Sequence, residues 1–241
     1  GVAYVAVEVD RIGGRRGGAR GERDREGGQA HAGTVVHAGH GSVTALPVPS
    51  VPMPTARLDH VAILVRSLER ALSVLSPLGS APGPIAEWPA EGTREVYVGD
   101  AGRSGRLLLM QPMGDVGPYA RALARRGPGL HHLALAVRDV AAFVDGLGGS
   151  GWYLHPASLR TIRAARTAWL ARPGTGALVE VQEVDSEPSP GAPVVDAVEV
   201  PGTGAPEALW PALGVEGVVR STDGAAWFAI ARRRIRADRL E

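Results

Sequence analysis

The chain has 241 residues and a formal net charge of +1, enough length for a buried core but no global electrostatic case for a nucleic-acid or anionic-membrane partner. The absence of cysteine excludes disulfides, thiolate metal sites and a thiol nucleophile, and fits a reducing cytoplasm. Hydrophobic content of 44% and charged content of 21% are ordinary for a globular protein, and no apolar run approaches the ~20 residues of a membrane helix.

In chain order, residues 1–56 read as a disordered leader. The stretch "RIGGRRGGARGERDREGGQAHAGT" and the proline-punctuated "LPVPSVPMPT" bury too little apolar surface to offset their ordering entropy. An RNA-binding arm is the less favoured alternative, and Met53 stands where a folded chain could begin. From Leu58 the texture changes. Leu58–Val65 reads as a strand, Ser67 as the N-cap of a helix ending at Gly79, and "TREVYVGD" and "GRLLLMQP" as two hairpin-linked strands. "PYARALARR" predicts a linking helix over 118–126. The order then repeats: strand Leu130–Val137, a helix from Asp139 to Leu147, and the strands "RTAWLARP" and "ALVEVQE". Each copy is β-α-β-β, with extra strands open around Pro84–Trp88 and Trp152–Ile162. Residues 185–193 read as a linker. Residues 194–241 read as an extension holding a third, shortened strand-helix-strand unit.

The repeat carries the chemistry. "LDHVAILVRSLERAL" and "GLHHLALAVRDV" align without a gap, so His60 corresponds to His132, 72 residues on, whereas His131 aligns with Asp59. Alternation places His60 with Leu58, Ala62 and Leu64, and His132 with Leu130, Ala134 and Ala136, the small alanines leaving room beside each ring. His131 then falls on the other face with Leu133 and Leu135 and reads as structural. Glu180, between Val179 and Val181, is a strand carboxylate that needs a partner. Three polar residues satisfied at strand ends is the plain alternative; a duplicated histidine with a strand glutamate favours a divalent metal. Glu95 alone reads as an exposed strand carboxylate paired with Arg94, and His155 receives no role.

From about Leu58 to Glu183 the chain resembles the vicinal oxygen chelate superfamily, and "LDHVAILVRSLERAL", "EGTREVYV", "YARALARRGPGLHHLALAVRDV" and "GALVEVQE" are most similar to its methylmalonyl-CoA epimerases. The "RRGPGLHH" junction is the most specific of these; the "DHVAI" opening is shared across the superfamily. The resemblance implies an α+β fold of paired βαβββ modules (57–117 and 129–184) forming a half-open barrel around one metal. It implies His60, His132 and Glu180 as metal ligands, Glu95 and Glu180 as catalytic carboxylates, and a divalent ion of cobalt, manganese, zinc or iron. It implies an acyl-CoA substrate, with Arg125 and Arg126 available to CoA phosphates or simply solvated, and it allows a homodimer. Two positions depart from the epimerase pattern. Leu108 stands where the epimerases carry a fourth ligand, Gln or Glu, and Gln111 lies on the opposite face. The "HPK" segment of the epimerases is here Ala171–Pro173. With three ligands, an iron-dependent dioxygenase of the same superfamily remains the alternative enzyme, and a small-molecule binding protein the non-catalytic one.

Overall fold

The computed structural model describes residues 55–241 apart from 80, 157, 159–165, 203–209, 211–212, 214, 216 and 241. The leader expected over 1–56 therefore lies outside the described residues except at Thr55 and Ala56.

The β-α-β-β order read from each copy is completed by one short strand. The first module runs β1 (Arg57–Leu64), α1 (Leu68–Leu75), β2 (Ala86–Trp88), β3 (Thr93–Val98) and β4 (Arg106–Pro112). After the linking helix α2 (Pro118–Arg126) come β5 (Gly129–Val137), α3 (Val140–Asp145), β6 (Tyr153–Leu154), β7 (Thr167–Ala171) and β8 (Leu178–Glu183). The strands form one open sheet in the order β2-β3-β4-β1-β5-β8-β7-β6, so the halves are related by a pseudo-two-fold between antiparallel β1 and β5. Each first strand pairs in parallel with its module's last, which demands a crossover, and the helix of each module supplies it.

Local chemistry explains the helix starts. Ser67 Oγ accepts from Arg70 N–H at 3.2 Å, and Asp139 Oδ1 accepts from Ala142 N–H at 2.9 Å. Each side chain satisfies one of the donors that a first turn leaves free. The strand ends contribute as well: Gln111 Oε1 accepts from Leu68 N–H and Glu183 Oε2 from Val140 N–H. Gln111 thus holds the start of α1 on the helix-covered face, as the alternation predicts. That face buries Val61, Ile63, Leu107, Leu133, Leu135 and Val179 against Leu68, Leu75 and Phe143. Full burial of each such side chain stabilises by roughly 1.5–3 kcal/mol.

The C-terminal segment, read as a third, shortened strand-helix-strand unit, contributes strands of its own. β9 (Val195–Val200), β10 (Val218–Arg220), β11 (Trp227–Ile230) and β12 (Arg233–Arg236) form a separate sheet in the order β10-β9-β11-β12. In both modules the first strand lies beside the last; here β9 sits between β10 and β11. Most of the helix expected around Ala205–Gly214 lies outside the described residues. Asp196 and Glu199, where a third histidine would fall, bind Arg232 N–H and the Arg234 guanidinium. Val198, Phe228 and Ile230 join the main core. The connection to this sheet lies against the β3–β4 turn, with Val195 N–H donating to Gly105 O at 2.8 Å. Gly105 has φ +64°, and a Cβ there would stand 2.5 Å from Pro193 Cβ, so only glycine fits. No described helix is long and apolar enough to cross a membrane.

Candidate metal centre

Two β-bulges build the site. In the β1–β5 ladder Leu58 pairs with Leu135 and His60 with Ala134, so Asp59 is extra; Ala62 pairs with His132 and Ile63 with Leu130, so His131 is extra. A bulge turns the strand face over. Leu58 and Leu130 consequently pack with the helix-side core, contrary to simple alternation, while His60, Ala62, His132 and Ala134 occupy the other face. Across that face run two rows, Arg106–His60–Ala134–Glu180 and Leu108–Ala62–His132–Leu178.

His60, His132 and Glu180 converge there, with one ligating atom from each lying within 4.8 Å of the other two. All three are buried, at 1%, 3% and 2% exposure. His60 Nε2, His132 Nε2 and Glu180 Oε1 are buried without a hydrogen-bond partner. A buried polar atom left unpaired costs about 1–3 kcal/mol, and three at one point fit a cation. Two imidazole nitrogens and a carboxylate oxygen are a donor set for a divalent transition ion.

The bulged residues turn toward the rings. Asp59 Oδ2 accepts from His60 Nδ1 at 2.8 Å and from Arg106 at 2.7 Å. A carboxylate on the far nitrogen fixes the tautomer that leaves Nε2 free to ligate. Hydrogen bonds and charge from His60 and Arg106 hold Asp59 below the usual carboxylate value, outweighing the upward push of burial. In the second module His131 Nδ1 lies 2.8 Å from His132 Nδ1, and the His131 ring packs on Tyr119 of α2. His131 therefore does not point to the opposite face as its parity predicts. The gapless alignment of Asp59 with His131 was the available signal; the bulges that give it meaning are tertiary features. The Arg106 guanidinium also lies 4.2 Å above the Tyr97 ring, an attractive cation–π geometry.

A cavity of about 570 Å³ opens on this cluster, lined by His60, His132, Glu180, Glu95, Tyr97 and Leu108 among others. Glu95 is half-buried; burial raises its pKa, against a 2.9 Å hydrogen bond from Thr93 Oγ1. It reaches the cavity from β3, a strand separate from those of the three candidate ligands. Arg125 and Arg126 lie exposed at the end of α2, and His155 sits outside the site.

The pseudo-two-fold gives Leu108 its place: it stands to Ala62 and His132 as Glu180 stands to Ala134 and His60. Leu108 is thus the symmetry mate of a candidate ligand and is itself buried at 4% exposure. Replacing it with Gln is expected to tighten Co²⁺ binding in an equilibrium titration, because an oxygen donor replaces a methyl-bearing carbon. Unchanged affinity in a folded Leu108→Gln protein would show that the side chain points past the cluster.

The buried groups also set a pH dependence for the metal-free protein. Burial pushes Glu180 up to about 8 from 4.5, with the nearby Asp59, Glu91 and Glu95 charges adding to it. Burial lowers His131 to about 3 and His132 well below 6.5. Below 6.5 the unfolded chain holds more histidine protons than the folded one, so these two residues make stability rise with pH up to that value. Glu180 works oppositely: between 4.5 and 8 the folded state keeps a proton that the unfolded state has lost. Two histidines outweigh one carboxyl below 6.5, and above it Glu180 dominates, with the raised Glu95 acting in the same direction. The Tm of metal-free protein should peak near pH 6.5 and decline toward 8, and Glu180→Gln should lessen the decline. A parent profile that is flat above 6.5 would contradict the burial assigned to Glu180.

Residues 59–170 match the family model of the Glyoxalase/Bleomycin resistance protein/Dioxygenase superfamily, just under half of the chain and ending before β8. No curated protein matches significantly. Solved structures that resemble the chain include a hypothetical protein from Bacillus halodurans, at 22% identity and TM-score 0.46, covering 56% of this chain and 99% of that one. The methylmalonyl-CoA epimerase from Mycobacterium tuberculosis is 25% identical, with TM-score 0.41 and coverage of 61% and 95%. A Streptomyces coelicolor methylmalonyl-CoA epimerase variant in complex with 2-nitronate-propionyl-CoA is 20% identical, with TM-score 0.43 and coverage of 57% and 99%. The mirrored βαβββ modules accord with that match, so residues 59–170 are similar to the Glyoxalase/Bleomycin resistance protein/Dioxygenase superfamily, the vicinal oxygen chelate proteins.

Proposed function

We propose that the chain is a metal-dependent epimerase (racemase) that moves the α-proton of a methylmalonyl-CoA-like acyl-CoA. The observation that carries this reading is the meeting, in one cavity, of three unpartnered ligating atoms and a separate carboxylate of raised pKa. The likeness of "RRGPGLHH" and "TREVYV" to the epimerases supports it. His60, His132 and Glu180 would hold a divalent ion, which supplies Lewis acidity toward the substrate's oxygens when bound. Glu95 takes the proton: the α-C–H bond breaks, its proton passes to the carboxylate, and the electron pair spreads onto the thioester carbonyl. Partial burial suits Glu95 to this, since a base works best with a pKa nearer the working pH. Return of a proton to the opposite face inverts the centre, and the resemblance gives Glu180 that second role. The apolar wall of Leu108, Met110 and Trp169 keeps water from the reacting carbon.

The test is solvent-deuterium entry at the α-carbon of methylmalonyl-CoA, run beside metal analysis of the purified protein. Exchange that tracks metal content is the expected result; full metal loading without exchange overturns the epimerase reading. One feature favours a second reading. With Leu108 apolar, the protein donors number two histidines and one carboxylate, the set of non-haem iron oxygenases. Oxygen uptake by the Fe²⁺-loaded protein, without exchange, would select it.

A further inference from the structure

The two candidate histidine ligands are supported unequally. His60 is backed by a carboxylate, Asp59, itself held by Arg106. His132 is backed by another imidazole. His131 is buried at 5% exposure, sits at the bulge matching Asp59, and places its Nδ1 2.8 Å from His132 Nδ1. At that distance one nitrogen carries the hydrogen and the other offers its lone pair, since a neutral imidazole has one donor and one acceptor.

The direction of that hydrogen bond decides what His132 can do. If His132 Nδ1 accepts, the ring's proton sits on Nε2, aimed at Glu180 Oε2 3.4 Å away, and the ring cannot ligate. If His132 Nδ1 donates, the Nε2 lone pair faces His60 and Glu180. We propose that His131 is the positioning residue of His132: its unprotonated Nδ1 accepts from His132 Nδ1–H and keeps the Nε2 lone pair turned into the site. This rests on the metal reading above. The adjacent histidines thus have distinct roles, one holding the ion and the other holding its neighbour's tautomer, as Asp59 does for His60.

The test compares two full-length variants by Co²⁺ titration and by the visible spectrum of bound Co²⁺. His131→Phe keeps a ring against Tyr119 but offers no acceptor. His131→Asn places an amide oxygen near the Nδ1 position and restores one. The expected result is Co²⁺ affinity ~10–100-fold weaker in His131→Phe, the usual effect of losing a group that supports a ligand, and a return to near the parent value in His131→Asn. The spectrum should shift in the first variant and return in the second. His131→Phe binding as tightly as the parent overturns the inference while leaving the metal reading intact. Equal weakness in both variants overturns it too, because packing alone then explains the loss. A parent protein that takes up no Co²⁺ overturns the metal reading and the inference with it.

Discussion

Glu95→Gln is expected to lower solvent-deuterium entry at the α-carbon of methylmalonyl-CoA by ~10²–10⁴-fold, the usual effect of removing a positioned general base. Metal content and Tm should be those of the parent. Glutamine keeps the shape and still accepts from Thr93 Oγ1, so the local hydrogen bond survives. Glu95 lies on β3, whereas the candidate ligands lie on β1, β5 and β8, so its loss takes no donor from the ion and removes only a nearby charge from Glu180. The pH profile adds a second check. Burial raises the Glu95 pKa, and a base acts only when ionised. The acid limb of kcat/KM should therefore fall above the ordinary carboxylate value and be missing from the residual activity of the variant. Undiminished exchange would make Glu95 a bystander on the cavity wall.

His60→Ala and His132→Ala should each abolish stoichiometric metal binding. A lost donor costs more than the roughly 10–100-fold that follows loss of a supporting group, and neither ring has a neighbour able to replace its Nε2. Glu180→Gln should be milder, since an amide oxygen still coordinates but brings no charge. The metal-free forms of both alanine variants should remain folded. Each substitution removes one of the unpaired buried atoms, offsetting part of the packing lost with the ring. Metal retained in either alanine variant would remove that residue from the ligand set.

Much of this architecture is legible in the sequence. The gapless repeat exposed the duplicated histidine, and Ser67 and Asp139 were readable as caps because an N-cap is a local, side-chain-to-backbone event. The face of Gln111 followed from alternation, which holds wherever a strand is regular. Alternation failed at Asp59 and His131, where an extra residue enters each strand. A bulge is fixed by pairing with another strand and leaves no mark in local periodicity. The face of Leu58, the orientation of His131 and the support of His60 by Arg106 all depended on it. The short strands β2 and β6 were uncertain for a related reason: two or three residues at a sheet edge carry too little pattern to be told from loop. The order β10-β9-β11-β12 of the C-terminal sheet was not open to the sequence, because strand order is a matter of pairing and the sequence shows only that strands are present.

The backbone of the site is nearly two-fold, but its donors are not. One half contributes a histidine and a carboxylate, while the other contributes a histidine and, at the matching place, Leu108. A symmetric cleft would accept a small ligand equally well in two orientations related by the axis. Under the proposed reading, the place without a protein donor lies at Leu108, in the half that also carries Glu95. A ligand bound there would favour one of the two orientations, and Leu108 rather than the backbone would tell them apart.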